Sequence, residues 1–464
     1  MVRVLHTLAI LGIFAALACP TIAHADDAPS IAMSGDFWGD LWNQDSLSGD
    51  WGGWRDRWAD HGVILAADSI DELVGNASGG TKRATDYSGR FELVATIDLE
   101  KLIDWADATF HANGYWTHGR SLSDDTLGGN FMTVSNIEAV PSVRLFDLWV
   151  EQLLFGGQLS IRAGQIAADD EFFGSDTASN FNNATFGWPA IMGADLPSGG
   201  PVYDIATPGI RFKYAPSNNF SLSFALFNGD PANPGTGDPQ SRDNNGLTFR
   251  VNGGAFVMVE AAYKTSLDIG SGDLPSTYKL GAWFNSNDFN DEHFDDSGQS
   301  LASPTSTEMP AIHHRDYGAY FIADQIVWHK PDTESSGISA FLRGAWSPSD
   351  RNVISFYADA GVAFAGVFAA RPSDVFGVAF AFAQISPAAR ALDRDVQAFS
   401  GVPVPLRDHE TTLELTYHIQ LNQWWNLQPD VQYVMHPGGN VAPQNSFKPI
   451  SNAMIFGLRS SIVI

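Results

Sequence analysis

The sequence predicts an all-β protein: a transmembrane antiparallel β-barrel of 16 strands, preceded by a short N-terminal periplasmic helix. Three observations carry this expectation. Apolar and polar residues alternate with a period of two along most of the chain, an export signal opens it, and long and short connections take turns between the alternating segments. The clearest alternation places Thr411, Leu413, Leu415, Tyr417, Ile419 and Leu421 on one face and Thr412, Glu414, Thr416, His418 and Gln420 on the other. A soluble protein would need a second layer over the greasy face, and no helical pattern intervenes to supply one. A barrel closed in lipid needs none.

In chain order, residues 1–25 read as a secretory signal. Basic Arg3 precedes an apolar run from Leu8 to Ala18, followed by Ala23-His24-Ala25 as the cleavage site. Cleavage removes Cys19, the only cysteine, and leaves a chain with neither thiol nor disulfide. The rival, a lipoprotein signal at Leu17-Ala18-Cys19, has its leucine one place too close to the cysteine. Beyond the signal no apolar run reaches the roughly 18 residues of a membrane helix. The nearest, Val353 to Phe368, is interrupted by Asp359 and glycines and reads as a strand. The formal charge of −27 argues against nucleic acid as a partner, since a polyanion would be repelled.

Residues 26–61 form an N-terminal segment in which Asp50 to His61 reads as a short helix, capped by Ser48 or Asp50 and stopped by Gly62. Trp51, Trp54 and Trp58 fall on one stripe, suited to docking against the barrel's inner end or to the membrane interface, where Trp is enriched. The barrel domain then spans 62–464. Strands are expected near 62–74, 87–100, 107–117, 143–154, 157–166, 207–215, 219–228, 245–265, 277–286, 316–328, 337–347, 352–368, 374–385, 409–420, 425–435 and 452–464. Gly253-Gly254 could split the eighth into two. That split would put the long stretch from Asn287 to Arg315 on the inner side, so the pair is read as a bulge within one long strand. The outer loops then fall near 75–86, 118–142, 167–206, 229–244, 287–315, 348–351, 386–408 and 436–451.

Alternation also assigns faces. Phe91, Leu93, Ile97 and Leu99 point to lipid while Glu92, Thr96, Asp98 and Glu100 point to the lumen; Phe376, Val378, Phe380 and Phe382 point outward opposite an inward row of Gly and Ala that leaves space. In the last strand Met454, Phe456, Leu458, Ile462 and Ile464 share the lipid face and Arg459 lies on the other. Sixteen strands enclose an aqueous channel, so a polar inner face is expected.

Several segments resemble the OprB-type carbohydrate-selective porins. They are Leu47-Ser48-Gly49-Asp50-Trp51-Gly52-Gly53-Trp54-Arg55 through Gly62; Gly164-Gln165 with Asp170-Glu171-Phe172; Pro208-Gly209-Ile210-Arg211 leading to Phe227-Asn228-Gly229-Asp230-Pro231; and Leu427-Gln428-Pro429-Asp430-Val431-Gln432-Tyr433 with His436-Pro437-Gly438-Gly439. The resemblance covers most of the chain, in order. It implies a monomeric outer-membrane porin passing small uncharged sugars or polyols down their gradients. No cofactor is implied, because diffusion through a pore needs none.

Candidate selectivity residues follow. The longest outer loop, 167–206, is the third, which porins commonly fold into the lumen; it carries Asp169, Asp170, Glu171, Phe172, Phe173, Asn180, Phe181, Asn182, Asn183, Phe186 and Trp188. Amides and carboxylates bond sugar hydroxyls, and aromatic faces match the C–H face of a pyranose. The plainer alternative is that the phenylalanines pack the loop on the wall. By strand parity Arg90, Arg162, Arg211, Lys213, Arg250, Lys279, Arg343 and Arg459 face the lumen, as do Glu92, Asp147, Glu151, Glu260 and Glu414 and the aromatics Tyr115, Trp149, Trp283 and Phe341. Such rings set a field across a constriction, or pair with one another along the wall. Of the rivals, an enzyme finds only His313-His314 and no G-x-S-x-G or H-E-x-x-H string. A surface receptor would carry larger outer loops, and a general or anion-type porin differs only at the constriction.

Overall fold

The computed structural model describes residues 41–268, 273–330, 336–443 and 446–464. The expected signal with Cys19, and residues 26–40 of the N-terminal segment, lie outside the described residues. The strands are β1 (Val63–Gly80), β2 (Thr85–Asp98), β3 (Ala108–Gly119), β4 (Ser142–Leu154), β5 (Leu159–Ile166), β6 (Thr207–Ser217), β7 (Phe220–Asn228), β8 (Ala255–Asp268), β9 (Asp273–Asn285), β10 (Phe289–Asp295), β11 (Pro310–His313), β12 (Asp316–His329), β13 (Gly337–Trp346), β14 (Ile354–Ala365), β15 (Val375–Ile385), β16 (His409–Gln420), β17 (Trp425–Met435) and β18 (Ser451–Val463). All but β10 and β11, which form a separate hairpin, join in one closed antiparallel barrel of 16 strands. Each pairs with its neighbour in sequence, and β1 pairs with β18 to close the ring. Glu72 faces Arg459 across that seam in register, and the two side chains form an ion pair.

The alternation does what lipid demands. Phe321, Phe356, Phe380, Leu413, Phe456 and Leu458 stand exposed on the outer face, and their lumen-side neighbours Ile322, Tyr357, Ala381, Glu414, Ile455 and Gly457 do not stand out. Exposed aromatics gird both ends: Trp116, Tyr317 and Trp346 near the loops, and Tyr214, Tyr263, Tyr278 and Trp328 near the turns. Residues 81–84 make the first outer loop shorter than the expected 75–86, because β1 and β2 stay paired as far as Gly75 and Thr85.

Two expectations are corrected. Residues 245–254 belong to the loop after β7 rather than to one long strand with a glycine bulge. Gly254 has φ +81°, its carbonyl accepts the Gly229 N–H at 3.0 Å, and pairing begins at Ala255. At the N-terminus the helix is shorter than 50–61. Helix α1 (Trp54–Asp60) starts after Gly53 in a left-handed conformation, so neither Ser48 nor Asp50 caps it. Trp51 precedes the helix yet its ring meets Trp58 at 6.0 Å. The segment is tied to the turn end of the barrel, where Arg55 Nη2 donates to the Ile464 carbonyl at 2.6 Å and Trp424 Nε1 to the Leu41 carbonyl at 3.0 Å.

Candidate functional site

Loop 167–206 folds into the barrel, as expected of the third loop. What holds it there is a set of wall groups that alternation aims inward. Glu414 of β16 accepts the backbone N–H groups of Asn182 (2.6 Å) and Asn183 (2.9 Å), and further along the same face of the strand His418 Nε2 donates to the Asn180 carbonyl at 2.8 Å. Glu260 of β8 accepts the Phe173 N–H at 3.1 Å and the Tyr320 hydroxyl at 2.8 Å, and Asp324 of β12 accepts the Thr177 hydroxyl at 2.5 Å. Arg343 is fully enclosed. Its Nε is forked on Asp359 at 3.0 and 3.1 Å, and its remaining N–H groups reach the loop carbonyls of Phe173 (3.1 Å), Thr185 (3.0 Å) and Gly187 (3.3 Å). Charge-assisted bonds of this kind contribute about 1.5–3 kcal/mol each.

Apolar packing does the rest. Phe172, Phe173, Phe181 and Phe186, with Ile191 and Met192 of helix α2 (Ala190–Asp195), are buried against Phe227, Trp283, Tyr320, Phe341, Ala379 and Ala381 of the wall. Each such side chain contributes about 1.5–3 kcal/mol. The small inward residues of β15 do not leave open space: a Cβ at Gly377 would lie 2.9 Å from the Phe181 ring. Phe172, Asn182, Arg343 and Trp283, four of the sequence candidates, therefore belong to the seat of the loop.

A second loop enters the lumen that sequence reasoning left out. Residues 120–141 carry Met132, Val134 and Ile137 into buried positions. Glu410, four residues before Glu414, accepts the Phe131 (3.0 Å), Met132 (2.7 Å) and Gly438 (2.6 Å) N–H groups, and Ala184 N–H donates to the Thr133 carbonyl at 2.9 Å. The apolar run Phe131-Met132-Thr133-Val134 in a nominally external loop was the available signal. Arg144 was also missed. A register shift between β3 and β4 turns it inward, against parity, onto Asp204 at 2.7 Å.

The part of the lumen that the loops leave free is lined differently. A cavity of about 390 Å³ is bordered by Arg90, Tyr115, Asn136, Asp169, Asp170 and Trp188, with Tyr203 and Arg459 completing its wall. Arg90 is paired with Asp68 (3.2 Å) and Glu92 (3.1 Å) and stands 5.0 Å over the Tyr115 ring and 5.9 Å from Tyr203. Trp188 is oriented by its Nε1 bond to the Gly199 carbonyl at 3.1 Å. Asp169 accepts the Tyr203 N–H at 3.2 Å; enclosure and the neighbouring charge of Asp170 raise its carboxyl to about 7.

A second cavity, of about 490 Å³, runs toward the turns at 156–158 and 215–219 and is lined by Glu171, Lys213, Ser223, Glu260 and Lys279. Asp170 borders the first cavity and Glu171 the second, so this dipeptide forms the shelf between them. On the shelf Arg162 pairs with Glu151 (2.9 Å) and Glu171 (3.0 Å), and Arg211 with the same two carboxylates (3.2 and 2.9 Å). Arg162 also lies 3.8 Å over Trp149, which stacks on His111 at 4.6 Å. Arg250, expected on the wall, is instead in loop 229–254, held by Asp230 at 2.9 Å, because β8 begins after it. His313 and His314 are paired with Asp291 and Asp288, each at 2.9 Å, on and beside the β10–β11 hairpin.

Residues 82–463 match the family described as "Carbohydrate-selective porin, OprB family". The chain is 25% identical over 441 residues to Porin B of Pseudomonas aeruginosa, covering 91% of this chain and 92% of that protein. It is 23% identical over 441 residues to the putative porin QuiX of Acinetobacter baylyi, at 90% and 93% coverage. The high-pH structure of Pseudomonas putida OprB superimposes with a TM-score of 0.80 at 26% identity, covering 91% of this chain and 99% of that one. The barrel and the family match over most of its length place the chain in the OprB family of carbohydrate-selective porins.

Proposed function

We propose that this outer-membrane porin passes monosaccharides or polyols passively, holding each in transit in the cavity of about 390 Å³ and handing it over the Asp170-Glu171 shelf to the inner cavity. The observation that carries the reading is the convergence, in the opening beside the folded loop, of the Tyr115, Tyr203 and Trp188 rings with Asp169, Asp170, Asn136 and Arg90. Aromatic faces suit the apolar face of a pyranose, carboxylates and amides its hydroxyls, and the volume is that of a small-molecule site. At the shelf Arg162 and Arg211 are locked to Glu151 and Glu171 with balanced charge, so these four groups leave dipoles for a neutral solute to bond and add little net field of their own. The protein is a channel and not an enzyme, in keeping with its family.

We propose, from the family resemblance, that the working unit is a monomer. Liposome-swelling rates test the reading. Neutral hexoses should enter faster than gluconate or glucosamine of similar size. Equal rates for all three would make the protein a general porin, and preference for one charged solute would move the filter to an unbalanced charge. Light scattering of the detergent-solubilised protein should give the mass of one chain.

A further inference from the structure

Away from the lumen, at the loop end of the barrel, two imidazoles and a carboxylate converge. We propose that Asp408, His409 and His436 form a binding site for a divalent transition-metal ion of the zinc class. One ligand atom from each residue lies within 4.8 Å of the other two. His436 Nδ1 is 3.0 Å and His409 Nδ1 3.6 Å from the Asp408 carboxylate, and the two rings are 4.7 Å apart. Their side chains are about one-third exposed, at 33%, 35% and 34%, open to ions from solution yet partly desolvated.

Two imidazoles and one carboxylate make a borderline-soft set of the kind zinc takes, with a position left for water. Tetrahedral ligands about 2.0–2.1 Å from zinc stand about 3.4 Å apart, so side-chain rotation closes the set. Both imidazoles aim a ring nitrogen at the same carboxylate and their rings stand 4.7 Å apart at 45°, so a single cation placed there is within reach of all three groups.

The surroundings fix the ligands. The His436 backbone N–H donates to Asn452 Oδ1 at 3.0 Å, the Asp408 backbone N–H to the Gly439 carbonyl at 2.9 Å, and the His409 ring lies against Phe382 at 5.2 Å, so the backbones that carry the ligands are anchored. Asp408 ends loop 386–408 and His436 opens loop 436–450, so a bound ion ties together two loops at the mouth. Nothing in the transport reading requires this site.

The test is calorimetric titration of the full mature protein, free of any histidine tag, with zinc chloride in detergent. The expected result is one saturable zinc per chain. His409→Gln and His436→Gln should each weaken it beyond the about 10–100-fold that loss of an outer contact costs, while His314→Gln, at the exposed pair with Asp288, leaves it unchanged. The wild-type unfolding midpoint should rise with zinc by mass action, and the variants' midpoints should not. If a variant misfolds, X-ray absorption of the zinc-loaded wild type decides: scattering from two imidazoles and one oxygen ligand supports the site. Absence of saturable binding, equal affinity in His436→Gln, or a spectrum without imidazole scattering overturns it.

Discussion

The two sides of the lumen use the same kinds of residue for opposite ends. Along β8 to β16 inward-facing carboxylates, an arginine and aromatics are consumed by the folded loop, and Arg343, Glu414, Phe172 and Trp283 are shut away from water. Along β1 to β6 the charged groups bond one another sideways, Arg90 to Glu92 and Arg162 to Glu151, and stay partly exposed, with Arg90 bordering the cavity of about 390 Å³. The difference teaches that facing the lumen is not the same as facing the solute. A charge spent on loop backbone and closed off from water, like Arg343 or Glu414, is structure, whereas a charge that keeps an exposed edge, like Arg90 or Lys279, remains available to what passes.

Breaking the closed side should have the largest effect. Arg343→Met strands Asp359 without its partner and frees three loop carbonyls, and should destabilise the protein by about 3–5 kcal/mol. Denaturant unfolding followed by tryptophan fluorescence measures this, and an unchanged midpoint would deny the loop its clamp. Glu414→Ala removes the acceptor of the Asn182 and Asn183 N–H groups and should cost about 3 kcal/mol, the low end for two such bonds. Hydrogen exchange should speed up at those amides and single-channel conductance should rise as the loop loosens; full protection at both amides would contradict the assignment.

On the open side, changes should alter selectivity more than stability. Arg162→Met takes one of two guanidinium groups from between Glu151 and Glu171, leaving this cluster with an uncompensated negative charge. The reversal potential under a salt gradient should move toward cations, while a shift toward anions would mean that other charges govern the shelf. The smallest effect concerns pH. Because the Asp169 carboxyl sits raised near 7, it is mostly protonated at pH 6 and mostly charged at pH 8, so cation preference should grow as pH rises through that window. Asp169→Asn should flatten the dependence, and a wild-type curve already flat between 6 and 8 would remove Asp169 from the conduction path.

Much of this was readable from pattern. Period two marked the strands, the lipid face and the closing strand because a sheet with lipid on one side and water on the other leaves each residue no third choice, and the order of long outer and short inner connections fixed the number at sixteen. The reading failed where that constraint lapses. At Asn245 to Gly254 alternating residues lie in a loop, so Arg250 was placed on a wall it does not join, and near Arg144 a register shift reversed parity. Helix α3 (Pro387–Ser400) in an outer loop was missed although Ser386 caps it, Pro387 opens it and Gly401 with φ +69° ends it, a local signal that needs no barrel. Loop 167–206 was singled out by its length, yet which of its residues face the opening depends on contacts up to hundreds of positions away, such as Asn183 with Gln432. Tyr203 enters the cavity through contacts with Asp169 and with Ile137 of another loop, and no periodicity marks it.

The most direct test of the division between a structural and a solute-facing side is glucose titration of single-channel current, wild type against Trp188→Ala. The account predicts a saturable decrease of current in the wild type and, in a variant that still folds and conducts, an affinity for glucose lower by about tenfold, the worth of about 1.4 kcal/mol of ring contact. Current indifferent to glucose, or an affinity unchanged by the loss of Trp188, would contradict it.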